Sequence, residues 1–245
     1  MRVGVYVDGF NLYYGARKHC GQGTPGWRWL DLRALVAPLA KWSESEIARI
    51  VYCTARVDAA DNATGSVDQA IYLDALSAAG SVDVIAEGRY VSWAKREPLV
   101  NEAVGTFRPS IYVHSDETWD TRLPLRSTPL SELRSSAVMA TVRKREEKGS
   151  DVNVASHLLF DVLVGVVDAA IVVTNDSDLE LPLRMARSHV PVGTVNPSTN
   201  PTAGALKGAP DDGVGRHWWR RLTAEDYRTA QLPDVVGQLR KPSGW

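Results

Sequence analysis

The 245-residue sequence has few cysteines, no long uninterrupted apolar run and no excess of charge of either sign. Its two cysteines, Cys20 and Cys53, are too few for a disulfide framework or a cysteine-type zinc site. They favour a reducing compartment, so we expect a cytoplasmic protein. Lys and Arg number 28 and Asp and Glu 29, a net charge of −1. This balance excludes a protein coated in positive charge to hold duplex DNA.

The apolar segments are too short for export or for membrane insertion. The first, Val3 to Val7, ends at Asp8 and is shorter than the apolar region of a secretory signal. The longest, Leu158 to Val173, is interrupted by Asp161 and Asp168 and falls short of the roughly 20 residues of a membrane span. We therefore expect neither a signal peptide nor a membrane partner.

Short apolar, β-branched segments alternate with helical patterns along most of the chain. This alternation predicts an α/β fold, a mainly parallel sheet with helices on both faces, in three layers. The predicted strands lie at 2–7, 47–57, 82–90, 137–142, 169–174 and 190–195, and the predicted helices at 10–18, 31–41, 66–79, 149–164 and 178–188.

Two segments depart from this alternation. Residues 93–135 contain four prolines and two tryptophans, and we interpret them as an insertion in a domain that covers 1–197. The remainder, 198–245, begins with a Gly/Pro/Asn/Ser-rich linker. Trp218, Trp219 and Trp245 predict that this tail packs back on the domain.

Four aspartates follow predicted strands or begin the helices after them. Asp8 ends the first strand, Asp151 starts a helix, and Asp176 and Asp178 follow the strand at 169–174. Ligands of parallel sheets bind at the carboxyl ends of the strands, so these side chains are expected to converge. Oxygen ligands of this kind favour Mg²⁺ or Mn²⁺. The alternative is structural, with each aspartate acting as a turn residue or a helix N-cap.

Three motifs carry a resemblance to a known family. Val5-Tyr-Val-Asp8-Gly9-Phe-Asn11-Leu, Lys148-Gly-Ser-Asp151-Val-Asn-Val-Ala155 and Asn175-Asp176-Ser-Asp178-Leu resemble, in this order, the motifs of the NYN domain family. These are PIN-like, metal-dependent ribonucleases. The resemblance implies a PIN-like domain over about 1–197 and metal-binding, catalytic roles for the four aspartates. His157 stands where many relatives carry a further Asp.

The resemblance also implies residues that contact a phosphate. Asn11 would support Asp8 or contact phosphate, and Lys148 would lie at the mouth of the site. Further candidates for substrate binding are Ser177, Arg143 and Arg145. The alternative for the two arginines is a solvated sheet edge. Trp27, Trp29 and the segment 216–221 could stack on bases or pack in the core.

The expected function is hydrolysis of single-stranded RNA by metal-activated water, with Mg²⁺ or Mn²⁺ as the cofactor. The protein would be an endoribonuclease, with RNA as its partner and with a homodimer as a further possibility. Two alternatives stay open. One is a non-catalytic RNA-binding or regulatory module on the same fold, which the replacement at His157 favours. The other is a small-molecule enzyme, which the near-neutral charge permits.

Overall fold

The computed structural model describes residues 1–101, 109–114, 119–120, 122–130 and 136–245. The other residues all belong to the predicted insertion and lie outside the described ranges. The chain forms two compact units. The first contains 1–90 and 147–245, and the second contains 91–146, which includes the segment interpreted as an insertion.

The described residues form eleven strands and seven helices, numbered in chain order. The strands are β1 (Arg2–Asp8), β2 (Glu46–Ala55), β3 (Val84–Pro98), β4 (Val113–His114), β5 (Leu125–Pro129), β6 (Ser136–Lys148), β7 (Ala169–Val173), β8 (Val192–Asn196), β9 (Trp218–Arg221), β10 (Val235–Val236) and β11 (Leu239–Arg240). The helices are α1 (Gly9–Cys20), α2 (Leu32–Val36), α3 (Ala63–Ala78), α4 (Ser150–Leu163), α5 (Glu180–Arg187), α6 (Gly204–Lys207) and α7 (Ala224–Thr229). Single 3₁₀ turns lie at Ala37–Leu39 and Ser177–Leu179.

The first unit is built on a parallel sheet in the order β3-β2-β1-β7-β8-β9. The middle strands β1 and β7 are buried over nearly all their length because helices cover both faces. Parallel pairing brings the carboxyl ends of β1, β2 and β7 to one edge of the sheet. Asp8 is the last residue of β1 and therefore lies at this edge.

Two apolar clusters lie on opposite faces of the sheet. One joins Val3, Val5 and Val7 to buried residues of α1, α2, α3 and α7. The other joins Tyr6 and Cys53 to buried residues of α4, α5 and α6. Adjacent residues of β1 thus face different clusters, as the period of a strand requires. The prediction of a three-layer α/β fold with a mainly parallel sheet is confirmed.

The second unit contains antiparallel pairs. β4 and β5 both pair with the first half of β6. Val100 and Ile111 form an isolated antiparallel bridge. Strand β6 runs through Lys148, six residues beyond the predicted end at Val142. The charged run that follows Val142 does not interrupt the strand, because extended backbone tolerates exposed charged side chains at a sheet edge.

The C-terminal residues belong to the first unit and contact its core through tryptophans. The indole of Trp29 donates to the carbonyl of Pro233 at 2.7 Å, and that of Trp42 donates to the carbonyl of Arg216 at 3.0 Å. Trp245 packs on Trp29, with ring centroids 6.2 Å apart. Since Trp27 and Trp29 are buried, they pack in the core and do not present their rings to a ligand. No helix in the described part of the chain has the length and apolarity to cross a membrane.

Candidate functional site

Asp8 is buried at the end of β1 and accepts hydrogen bonds from three donors. Its carboxylate binds the backbone NH of Asn11 at 3.0 Å, the Nδ2 of Asn11 at 2.6 Å and the hydroxyl of Thr174 at 2.9 Å. The first of these bonds caps α1. Burial raises the pKa of Asp8, and the nearby Asp176 adds to this effect, while the three hydrogen bonds oppose it.

A polar network links Asp8 to the loop after β7. The Thr174 hydroxyl that donates to Asp8 also accepts from the backbone NH of Asp176 at 3.1 Å. Asn11 accepts from the backbone NH of Asn175 at 3.2 Å. Asp176 in turn caps the 3₁₀ turn by accepting from the backbone NH of Asp178 at 3.0 Å. The loop is therefore held in place by the same residues that orient Asp8.

Asp151 lies in the first turn of α4, which Gly149 begins with a φ of 107°. That region of backbone space favours glycine. Asp151 is half-buried, and burial raises its pKa to about 6, with further contributions from Asp8, Asp176, Glu147 and Asp178. The structure thus brings the four predicted aspartates within electrostatic range of one another, at the carboxyl edge of the sheet.

The metal-binding role predicted for these aspartates finds no support in their geometry. Within residues 1–101, 109–114, 119–120, 122–130 and 136–245, no three His, Cys, Asp or Glu side chains are grouped so that they could hold a metal ion. Asp178 and Ser177 are exposed, and His157 is half-buried on α4. The catalytic role of the four aspartates stays a prediction.

The predicted phosphate-binding residues are spread over both units. Asn11 orients Asp8 in the first unit, as described above. Lys148 is exposed at the end of β6, also in the first unit. Arg143 and Arg145 lie in the second unit, where Arg143 donates to the hydroxyl of Ser92 at 3.5 Å. Their predicted contact with substrate stays a prediction.

Beside the carboxyl ends of β1 and β2 lies a cavity of about 460 Å³, which we call the aromatic cavity. Seven of its lining residues are aromatic, and the rest include a few polar groups and two charged ones. Its lining is Gly9, Phe10, Tyr13, Tyr14, Arg28, Tyr52, Thr54, Ala55, Val57, Asn62, Thr64, Gly65, Asp68, Gln69, Tyr72, Tyr90 and Trp245.

The cavity walls are held by contacts between rings and by bonds from α3 to β2. Phe10 and Tyr90 meet edge to face at 6.0 Å, and Tyr72 packs on Trp245 at 5.6 Å. Gln69 of α3 binds the backbone on either side of Arg56, accepting from the Val57 NH at 2.7 Å and donating to the Ala55 carbonyl at 3.0 Å. These contacts fix the floor of the cavity before any ligand arrives.

This cavity was not predicted from the sequence, although part of its signal is present there. Phe10, Tyr13 and Tyr14 have the i, i+3, i+4 spacing that places side chains on one side of a helix. The other rings come from β2, α3, β3 and the last residue, so only the folded chain brings them together.

Replacing Asp151 with Asn is expected to raise stability at pH 7 and above. The folded pKa of about 6 lies above the ordinary Asp pKa of 3.8, so the folded state holds a proton between these pH values that the unfolded state releases. The wild type thus loses stability as the pH rises from about 4 to about 6, and the deficit persists above that range. After allowance for solvent screening of a half-buried group, the variant should gain about 1 kcal/mol, or roughly 2–4 °C in Tm.

Thermal melts at pH 4 and pH 7.5 would measure this difference. The gain should be much smaller at pH 4, where Asp151 is protonated in the folded state and about half ionised in the unfolded state. Asp178→Asn, at an exposed position of the same cluster, serves as the control and should have a smaller effect. An equal gain for Asp151→Asn at both pH values would contradict the assigned electrostatics.

Comparison with known proteins gives one informative relative. No family model matches the chain. A solved structure of a protein of unknown function from Vibrio parahaemolyticus aligns with 92% of this chain and 94% of its own, with a TM-score of 0.41 and 13% sequence identity. A likeness this weak supports no inference about fold or function.

The informative relative is the 6-hydroxy-3-succinoylpyridine 3-monooxygenase HspA of Pseudomonas putida. It is 31% identical to this chain over an alignment 270 positions long, which covers 100% of this chain and 75% of the relative. The alignment spans the whole of this chain, including the second unit and the C-terminal residues, and is not confined to isolated motifs.

This relative corrects the predicted activity. The expectation of a ribonuclease, a nuclease that hydrolyses phosphodiesters, is wrong, because the relative is a monooxygenase. The expectation of Mg²⁺ or Mn²⁺ as cofactor is wrong for the same reason, and the described residues offer no metal-binding group. Carboxylates at strand ends did not distinguish phosphodiester hydrolysis from monooxygenation.

The resemblance to the NYN family, the single-stranded RNA partner and the homodimer stay predictions. The chain belongs to the family of the 6-hydroxy-3-succinoylpyridine 3-monooxygenase HspA.

Proposed function

We propose that this protein is a small-molecule enzyme of the monooxygenase class, which hydroxylates an aromatic ring bound in the aromatic cavity. The observation that carries the proposal is the cavity itself. Its volume of about 460 Å³ and its lining of rings with a few polar groups are typical of sites for small organic ligands. Its position at the carboxyl ends of parallel strands is where α/β sheets bind their ligands.

The reaction of this class defines what the site has to accommodate. One atom of O₂ enters the substrate and the other leaves as water, which consumes two electrons and two protons. A reduced nicotinamide or flavin would supply the two electrons, and any proton that the donor does not carry would come from solvent. The chain's own contribution is to hold the ring between aromatic walls, where face and edge contacts favour another aromatic group.

Two hydroxyls on the cavity wall can orient a polar substituent of the ring, since Tyr52 and Thr54 both line the cavity. Burial raises the pKa of Tyr52 to about 12, with a further contribution from Asp8. Tyr52 therefore stays protonated at neutral pH and can donate to an oxygen on the substrate.

A dinucleotide cofactor bound at the junction of β1 and α1, as in dinucleotide-binding folds, does not fit these residues. Such folds place the diphosphate on the free NH groups of the helix N-terminus, after a glycine-rich turn. Here the segment is Asp8-Gly9-Phe10, and the Asp8 carboxylate already accepts from the Asn11 NH. Asp151 and Asp176 lie close enough to Asp8 for the carboxylates to interact electrostatically. A diphosphate, which is also negatively charged, would therefore be repelled.

A second hollow along α1, of about 530 Å³, is a weaker candidate for the ring. We call it the polar hollow, and its lining is Phe10, Asn11, Tyr14, Gly15, Arg17, Lys18, Gln22, Asn175, Ser198 and Asn200. Amide and charged side chains predominate there, and only two rings contribute. It provides far less aromatic surface for a planar apolar ring than the aromatic cavity does.

Turnover under ¹⁸O₂ tests the proposal. The purified protein would be incubated with 6-hydroxy-3-succinoylpyridine and a reduced nicotinamide or flavin, and the products analysed by mass spectrometry. We expect one ¹⁸O atom in the hydroxyl added to the ring, and none at that position when the label is supplied as H₂¹⁸O. Absence of label from O₂ with every donor, or label from water in that hydroxyl, would contradict the proposal.

A further inference from the structure

Arg28 is the one basic side chain among the described residues that line the aromatic cavity. It is half-buried, and its Nε is buried without a hydrogen-bond partner in the described part of the structure. One of its terminal nitrogens donates to the carbonyl of Gln22 at 2.5 Å. A guanidinium has five N–H donors, so this arrangement leaves donor capacity for a ligand.

The surroundings of Arg28 hold its guanidinium in a defined position. It lies over the ring of Trp27, 5.1 Å from the centroid, and Trp27 donates to the carbonyl of Gly21 at 3.1 Å. The Trp27 ring also packs on Tyr13, a residue of the cavity wall, at 5.6 Å. A guanidinium held in this way loses little conformational freedom when it binds an anion.

The cavity lining contains one acidic side chain, Asp68, and the described residues show no ion pair between it and Arg28. The two charges are therefore available to a ligand separately. An arginine at the side of an apolar cavity favours a planar anion such as a carboxylate, which it can bind with two parallel hydrogen bonds. The apolar walls strengthen this attraction because they lower the local dielectric constant.

We propose that Arg28 binds a carboxylate on the substrate, and that the protein selects aromatic acids over their neutral analogues. This inference rests on the proposed function, because it takes the aromatic cavity as the substrate site. It goes beyond that function by assigning a residue that determines specificity.

Paired ligands test the proposal by direct binding. The probes are 6-hydroxy-3-succinoylpyridine and its methyl ester, together with 6-hydroxynicotinate and its amide, each measured by calorimetry with the wild type, Arg28→Gln and Arg28→Lys. We expect the wild type to bind each acid roughly 10- to 100-fold more tightly than its neutral partner, as a charge-assisted contact predicts. Arg28→Gln should abolish this preference, and Arg28→Lys should retain part of it.

Arg17→Gln is the matched control. Arg17 also binds Gln22, through the side-chain oxygen, but it lines the polar hollow and not the aromatic cavity. This variant should keep the preference for acids. If Arg17→Gln loses the preference and Arg28→Gln keeps it, the acid binds in the polar hollow and the proposal is overturned. Melting curves of all variants would show that each is folded.

The remaining outcomes separate this proposal from the proposed function. If the wild type binds acids and neutral analogues equally, the role of Arg28 is wrong while the cavity remains an aromatic site. If it binds none of the four probes, the proposed function fails, and the inference fails with it.

Discussion

Arg49→Ala is expected to destabilise the protein by about 3–5 kcal/mol, because it leaves a buried carboxylate without its counter-ion. Asp161 is fully buried on α4 and lies 3.4 Å from the Nε of Arg49, which stands on β2. The same Asp161 oxygen accepts from the hydroxyl of Tyr6 at 3.0 Å. Without the arginine, the hydroxyl of Tyr6 would be the one partner left, among the described residues, for a carboxylate that is shielded from water.

Arg56→Ala provides a matched comparison one residue beyond the end of the same strand. Arg56 makes a shorter ion pair, 2.7 Å to Glu87, but its side chain is 51% exposed and that of Glu87 is 39% exposed. Exposed pairs of this kind contribute about 0–1 kcal/mol. Denaturant melts should therefore show a much larger loss for Arg49→Ala, with a fall in Tm of roughly 6–20 °C. Similar losses for both variants would contradict the structural role of Asp161.

Val57→Trp is expected to lower kcat/KM by roughly 100-fold, equal to about 2.7 kcal/mol of transition-state stabilisation. Val57 lines the aromatic cavity and is half-buried, so an indole in its place would occupy the space of the substrate ring. Its backbone NH binds Gln69 and would be unaffected by a larger side chain. We therefore expect a folded protein that no longer accepts substrate.

Val67→Trp is the control for this change. Val67 is 60% exposed on α3. It is close in sequence to residues that line the cavity but does not line the cavity itself. The Val67→Trp variant should keep the kinetic constants of the wild type. Steady-state kinetics with both variants would measure the effect, and a normal kcat/KM for a folded Val57→Trp would show that the substrate binds elsewhere.

Most of the sheet could be predicted because its strands carry an unambiguous local signal. Residues 169–174 were predicted as a buried strand from an almost wholly apolar run, and β7 spans Ala169–Val173. The helix predicted at 149–164 corresponds to α4 at Ser150–Leu163. Strand β9 at Trp218–Arg221 was not predicted, because its alternation of tryptophan and arginine also fits an aromatic anchor or a nucleic-acid contact.

The proximity of the four aspartates at the carboxyl edge could be predicted from the sequence, but their chemical role could not. Asp8 and Asp176 follow adjacent parallel strands, so their proximity follows from topology. The same carboxylates can hold a metal, cap helices or tune neighbouring groups, and the side-chain bonds from Asn11 and Thr174 to Asp8 are visible only in the folded chain. The residues of the aromatic cavity extend from Gly9 to Trp245, a separation that no local pattern spans.

The most direct test of the central claim is a crystal structure of the protein with 6-hydroxy-3-succinoylpyridine. We expect the pyridine ring in the aromatic cavity, against Tyr72 and Trp245, with its carboxylate on Arg28. The contrary result is a ring bound in the polar hollow beside Arg17 and Lys18, with the aromatic cavity empty at a saturating ligand concentration.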